Sequence, residues 1–178
     1  MTTIAARDDD GAITMAAGSQ LSGADFAYGD PVRKIMHGNG FLLGLSGPMA
    51  LIQQIERCMQ VEAARYPLTG SRFALVETMR LLHVLLREQA LIRPEHEAMQ
   101  TAASHFNALI ANRTGLYTVL EDRSVVGPQK FWAIGSGWRF AVGALAAGST
   151  AQRAMLAAGT LDHSTDTHLQ VETLTSIL

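Results

Sequence analysis

The chain has 178 residues, of which 48% are hydrophobic and 17% charged, with a formal net charge of −2. That length and apolar content can bury a core and exclude a disordered chain, while the near-neutral charge offers no electrostatic drive toward nucleic acid or an anionic membrane. A single cysteine, Cys58, excludes an intrachain disulfide and fits a reducing compartment.

In chain order, Thr3 to Arg7 and Ala12 to Ala17 flank the turn cluster Asp8-Asp9-Asp10-Gly11 and read as a hairpin. Both strands are rich in small apolar residues without clean alternation, the pattern of strands covered on both faces. Gly18 to Gly29 reads as a polar, glycine-rich loop. Val32 to His37 and Phe41 to Leu45 flank Gly38-Asn39-Gly40, and Asn-Gly between apolar runs is a strong hairpin signal. From Pro48 the period becomes helical, with Leu51, Ile52, Ile55, Cys58 and Met59 on one face. After Gly70, Ser71 is a plausible N-cap for a second helix that buries Leu75, Val76, Met79, Leu82 and Leu86. Pro94 punctuates the region beyond it. Strands return at Phe106 to Ala111, Leu116 to Leu120 and Lys130 to Ile134; helices follow at Trp138 to Ala147 and Ala151 to Leu161, and Leu169 to Leu174 is a last strand. Doubly covered strands and two blocks of paired helices predict two stacked sheets with a helix layer outside each, in one domain spanning 1–178. No signal peptide and no run near the ~18 apolar residues of a membrane span are visible, so a cytoplasmic location is expected.

Thr2, directly before the first strand, is a candidate nucleophile. A threonine hydroxyl is too weak an acid to attack a carbonyl unaided, but an α-amine on the same residue, titrating near ~7.7–8.0, can serve as its general base once Met1 is removed. A lysine held close would keep that amine neutral by charge repulsion. Arg33-Lys34 supplies one about thirty residues on.

Thr2-Thr3-Ile4, Arg33-Lys34, Gly44-Leu45-Ser46-Gly47 and Ala133-Ile134-Gly135-Ser136-Gly137, in this order and spacing, resemble the N-terminal threonine peptidases: HslV, proteasome β-subunits and, most of all, the β-proteobacterial proteasome homologues. The resemblance implies the α+β N-terminal nucleophile hydrolase fold, a four-layer α-β-β-α sandwich. It also implies Thr2 as nucleophile, Lys34 as the active-site lysine, and an oxyanion hole at the Ser46-Gly47 turn, where Gly47 lets backbone approach substrate. Ser136 would hydrogen-bond the terminal amine and share in proton relay. Leu21, Met36, Leu45 and Met49 would line an apolar pocket for the residue before the cut. No metal and no organic cofactor are implied. The partners implied are peptide or unfolded-protein substrates, an ATP-dependent unfoldase, and copies of the same chain. Those copies would form a homo-oligomeric double ring, with a tetradecamer favoured over a dodecamer.

The chain also departs from that pattern. Such families place an aspartate at the end of the second strand to pair with the lysine; Gly18, followed by Ser19, stands there. Asp162 and Ser19 are the candidates to replace it. The stretch Asp162-His163-Ser164-Thr165-Asp166 stands where HslV carries a cysteine-containing segment; it reads as a polar helix end with at most a weak cation site. The six histidines (His37, His83, His96, His105, His163 and His168) include no i, i+4 zinc pair. A ring-forming homologue with little or no peptidase activity, and an N-terminal nucleophile amidase acting on a small amide, are the alternative functions.

Overall fold

A computed structural model of the chain describes residues 2–19, 21–22, 27–28, 33–89 and 106–175. β1 (Thr3–Asp9) and β2 (Ala12–Gly18) form the first hairpin. Asp9 pairs with Ala12 across a two-residue turn, Asp10-Gly11, whose φ values of 53° and 102° are both positive. That is the backbone a right-twisted two-residue hairpin needs, and Asp-Gly adopts it at little cost. β1 therefore runs two residues further into the acidic cluster than its composition predicts, while β2 begins at Ala12 as expected. The segment expected to be a loop carries β3 (Leu21–Ser22), paired with β4 (Ala27–Tyr28). The second hairpin, β5 (Ile35–Gly38) and β6 (Phe41–Ser46), turns at Asn39-Gly40 as expected; Val32 lies outside the described residues.

Helices α1 (Met49–Val61) and α2 (Arg72–Glu88) follow, then β7 (Asn107–Asn112), β8 (Gly115–Val119), β9 (Val125–Gln129) and β10 (Phe131–Gly135). Helices α3 (Trp138–Ala146) and α4 (Ala151–Leu161) precede β11 (Leu169–Thr175). β9 is an addition to the predicted elements: its Gly127-Pro128 interrupts a strand pattern, and β9 accordingly sits at a sheet edge. Pro94 lies outside the described residues.

Two antiparallel sheets result, ordered β10-β1-β2-β11 and β5-β6-β7-β8-β9. Alternation along β1 and β2 explains the four layers. Ile4, Ala6, Met15 and Ala17 point into a core shared with Leu42, Leu109 and Leu116 of the second sheet. Ala5 and Ala16 point the other way, against Ala141, Leu145, Ala154 and Ala158 of α3 and α4. Alanine on both sides of that contact lets helices and sheet approach closely. On the far side, α1 and α2 bury Leu51, Ile55, Leu75, Met79 and Leu82 against Leu43, Leu45 and Ile110. Each fully buried side chain of this size stabilises by roughly 1.5–3 kcal/mol. Val76, expected in this core, is instead exposed on the outer face of α2. The molecule is the expected α-β-β-α sandwich.

Candidate active site

The site lies at one end of the sandwich, where the start of β1 meets the end of β10. Thr3 pairs with Gly135, whose φ is +92° and where a Cβ would sit 1.7 Å from the Thr2 carbonyl oxygen. Only glycine permits this approach. The next residue turns back, and the Ser136 N–H donates to the Thr2 carbonyl at 2.9 Å. Thr2 is thereby pinned through its backbone, and it lines a cleft of about 590 Å³. Ser46 and Gly47, at the end of β6, and Ser136 line the same cleft. Its apolar wall is built from Leu120, Trp132, Ile134 and Trp138, with Asn107 and Glu121 at the polar rim. The indoles of Trp132 and Trp138 stack with centroids 6.0 Å apart.

Behind Ser136 is a hydroxyl–carboxylate network that joins the chain's start to the segment after α4. The Ser136 hydroxyl donates to Asp162 Oδ2 at 2.7 Å, and the Thr165 hydroxyl donates to the same oxygen at 2.5 Å. Thr3 Oγ1 lies 2.6 Å from Thr165 Oγ1 and accepts the Gly137 N–H at 2.8 Å. Burial opposes the charge on Asp162. The hydrogen bonds donated by Thr165, Ser136 and the Ser164 N–H outweigh it and hold the carboxyl below its usual range. Asp162 is therefore an ionised acceptor that orients Ser136.

Lys34, just before β5, is only 5% exposed. Its backbone N–H and that of Ile35 both donate to Gln170 Oε1, at 2.9 and 3.1 Å, while Gln170 Nε2 donates to the Ile35 carbonyl at 2.8 Å. One β11 side chain of the first sheet thus clamps the edge strand of the second. Burial pushes the Lys34 ammonium down to about 8, and the Asp166 carboxylate pulls it back up. Asp162 is engaged with Ser136 and Thr165, and Ser19 instead donates its hydroxyl to Asp166 at 3.4 Å. Among the described residues no cluster of three or more His, Cys, Asp and Glu could hold a metal ion.

No protein-family model and no curated protein matches the chain. Solved structures do match along nearly its whole length. BPH of Thiobacillus denitrificans superposes with a TM-score of 0.86 at 22% identity, covering 97% of both chains. The same protein in complex with epoxomicin gives 0.86 at 21% identity, over 99% of this chain and 100% of that one. Eukaryotic HslV from Trypanosoma brucei gives 0.74 at 19% identity, over 97% and 99%. The chain has the N-terminal nucleophile hydrolase fold.

Within this proteasome-like fold the residues singled out in the sequence divide into two groups. Thr2, Gly47 and Ser136 share one cleft, with Lys34 buried at the edge of the second sheet. Of the expected pocket residues, Met36, Leu45 and Met49 are not among the described residues that line that cleft. Leu45 is 1% exposed and committed to the core beneath α1 and α2, so it is a packing residue; Met36 packs against the same core. Met49 is the first residue of α1, and the side chain of Leu21 lies outside the described residues. Thr3, Thr165 and Asp166 stood only inside longer motifs with none of these contacts assigned to them, and Gln170 was not singled out. No local pattern marks them, because each acts on a partner at the far end of the chain.

Proposed function

We propose that the chain is a threonine-type endopeptidase subunit that works through Thr2 once Met1 has been removed. The supporting observation is the convergence in one cleft of Thr2, the Ser46-Gly47 turn and an Asp162-bound Ser136. The Thr2 amine takes the hydroxyl proton, and Oγ attacks the carbonyl carbon of a peptide bond. The resulting oxyanion is stabilised by backbone N–H donors at Gly47. Collapse breaks the C–N bond, the amine returns its proton to the leaving nitrogen, and an ester remains on Thr2. Water, deprotonated by the same amine, hydrolyses that ester. Lys34 keeps the amine neutral while it is itself charged, and Ser136 relays protons between the amine and the cleft. This chemistry calls for no metal and no organic cofactor.

The substrates in this reading are peptides and unfolded proteins. The wall of Leu120, Trp132 and Trp138 suits apolar side chains, which gain by desolvation where a charge would lose. The subunit works inside a homo-oligomeric double ring of fourteen chains in the cytoplasm, fed by an ATP-dependent unfoldase. BPH was captured with epoxomicin, and the same compound tests this chain. Intact-mass measurement should find Met1 absent and one epoxomicin added at Thr2, whose hydroxyl and amine together close on the epoxyketone. Thr2→Ala should abolish both the adduct and turnover while leaving the melting temperature within about 2–4 °C of wild type. Thr2→Ser should keep partial activity. Retained Met1, or turnover by Thr2→Ala at the wild-type rate, would exclude this mechanism; a stable ring without adduct or turnover would mark the inactive alternative.

A further inference from the structure

β5 lies at an edge of the second sheet and, among the described residues, pairs only with β6. Backbone groups on the outer side of an edge strand need partners from outside the ladder. Gln170 of β11 supplies them where β5 begins. Its Oε1 accepts the N–H groups of both Lys34 and Ile35, at 2.9 and 3.1 Å, and its Nε2 donates to the Ile35 carbonyl at 2.8 Å. Successive N–H groups of an extended strand point in opposite directions, so two that converge on one oxygen mark a bend at the lysine. From the other side the Lys34 carbonyl accepts the Leu45 N–H of β6 at 3.4 Å. Gln170 is itself anchored in the first sheet, opposite Ala17 of β2. Glu172, on the same face of β11, meets Arg33 at 3.2 Å and His37 at 3.7 Å. Those two pairs involve exposed cationic side chains and are screened by salt. The Gln170 bonds reach backbone at residues only 5% and 0% exposed, where a lost partner strands a polar group.

We propose that Gln170 is a positioning residue for Lys34, its carboxamide fixing the lysine's backbone, at the edge of the second sheet, against the first sheet. The consequence for catalysis rests on the threonine-peptidase reading; the clamp does not. Thr2 is set by the first sheet, through the pairing of β1 with β10. Lys34 enters from the second. A mechanism that needs both must fix one sheet relative to the other at this point, because a displacement near 1 Å can cost about a hundredfold in rate. Apolar side chains packed between the sheets hold them together without a directional bond. Gln170 adds three directional bonds at the lysine itself.

Gln170→Met keeps the length of the side chain and removes all three hydrogen bonds. In this variant amide exchange at Lys34 and Ile35 should quicken at least about tenfold. On the peptidase reading kcat should fall about ten- to a hundredfold, with KM within about twofold of wild type. The chain contains only two lysines, Lys34 and the exposed Lys130. ¹³C-lysine labelling therefore reports Lys34 against an internal reference. With the clamp gone, water reaches the ammonium, and the Lys34 midpoint should move up by about one pH unit while Lys130 stays. Gln170→Asn, one methylene shorter, withdraws the carboxamide and serves if the methionine variant does not fold. Thr78→Val is the control for lost stability: it deletes a buried hydrogen bond from α2 to the Pro67 carbonyl and should leave kcat and the lysine midpoint unmoved. Unchanged exchange at Lys34 and Ile35 overturns the clamp. Faster exchange with a wild-type kcat or an unmoved Lys34 midpoint overturns the positioning role, as does an equal fall of kcat in Thr78→Val. Failure of the wild-type protein to take epoxomicin would instead defeat the peptidase reading, and amide exchange and the lysine midpoint would still decide the clamp.

Discussion

At the residue scale, the proposed mechanism depends on a lysine made easy to deprotonate. Burial lowers Lys34 from its ordinary 10.5 to about 8, against the pull of Asp166. The sign of the effect is opposite for catalysis and for stability. In the proposed mechanism the charged Lys34 also polarises the Thr2 hydroxyl, and above about pH 8 it loses that charge, so kcat/KM should fall along an alkaline limb centred near that value. Over the same window, up to the unfolded pKa, the folded state binds fewer protons than the unfolded chain. This group therefore makes the fold more stable as pH rises. Activity lost above pH 8 with a melting temperature that does not fall because of Lys34 is the expected pairing of results. Lys34→Ala should lower kcat by at least about a hundredfold at pH 7, where Lys34 is charged. Lys34→Arg should not restore it, because a planar guanidinium does not fit a site shaped for a point charge. A flat wild-type profile between pH 7 and 10 would remove Lys34 from the chemistry.

At the element scale, the β1–β10 pairing aims Thr2, and Gly135 makes that pairing possible. Its positive φ and the 1.7 Å that a Cβ would leave to the Thr2 carbonyl mean that Gly135→Ala must push the strands apart. The left-handed backbone alone costs about 1–3 kcal/mol for a residue with a side chain. The displacement also moves the nucleophile. We expect this variant to fold with a lowered melting temperature and to lose epoxomicin labelling almost completely. Gly11→Ala, also at a positive φ but with open space around it, should cost stability alone. Equal labelling of both variants would show that strand spacing at Gly135 does not set the site.

At the scale of the whole molecule, the outer helix layer is the feature that a lone sandwich does not require. Phe73 is 76% exposed and Val61 72%, with Val76 beside them on the outward face of α2 and the end of α1. In the proposed double ring these residues would lie at a contact between subunits. Under the proposed function, a nucleophile that cuts generic peptides also needs enclosure, which head-to-tail rings provide when their rotation closes. Mass photometry should find fourteen subunits. Phe73→Glu, a charge placed on that layer, should split the particle into single rings without altering the fold of the subunit. A peptidase-active monomer would reject the ring, and a particle of twelve would place the assembly with HslV-like dodecamers.

What the amino-acid sequence determined alone was whatever short-range chemistry controls. Asp10-Gly11 and Asn39-Gly40 specify hairpin turns by backbone preference, the spacing of Leu51, Ile55 and Cys58 specifies a helical face, and two-sided apolar strands require cover on both sides. The layered architecture follows from these, as does the linear order of Thr2, Lys34, Gly47 and Ser136. Tertiary structure decided the rest, because the deciding distances are between groups far apart in the chain. Gln170 reaches Lys34 across 136 residues, and Thr165 reaches Thr3 across 162. The resemblance implies a pocket position for Leu45, and only the folded chain shows it 1% exposed and packed in the core with α1 and α2. The missing side chain at Gly18 reads as a lost charge until the fold lays Asp166 over it. Local preference can specify an element and the side a residue faces, but only the closed sandwich specifies which residue lies across the gap.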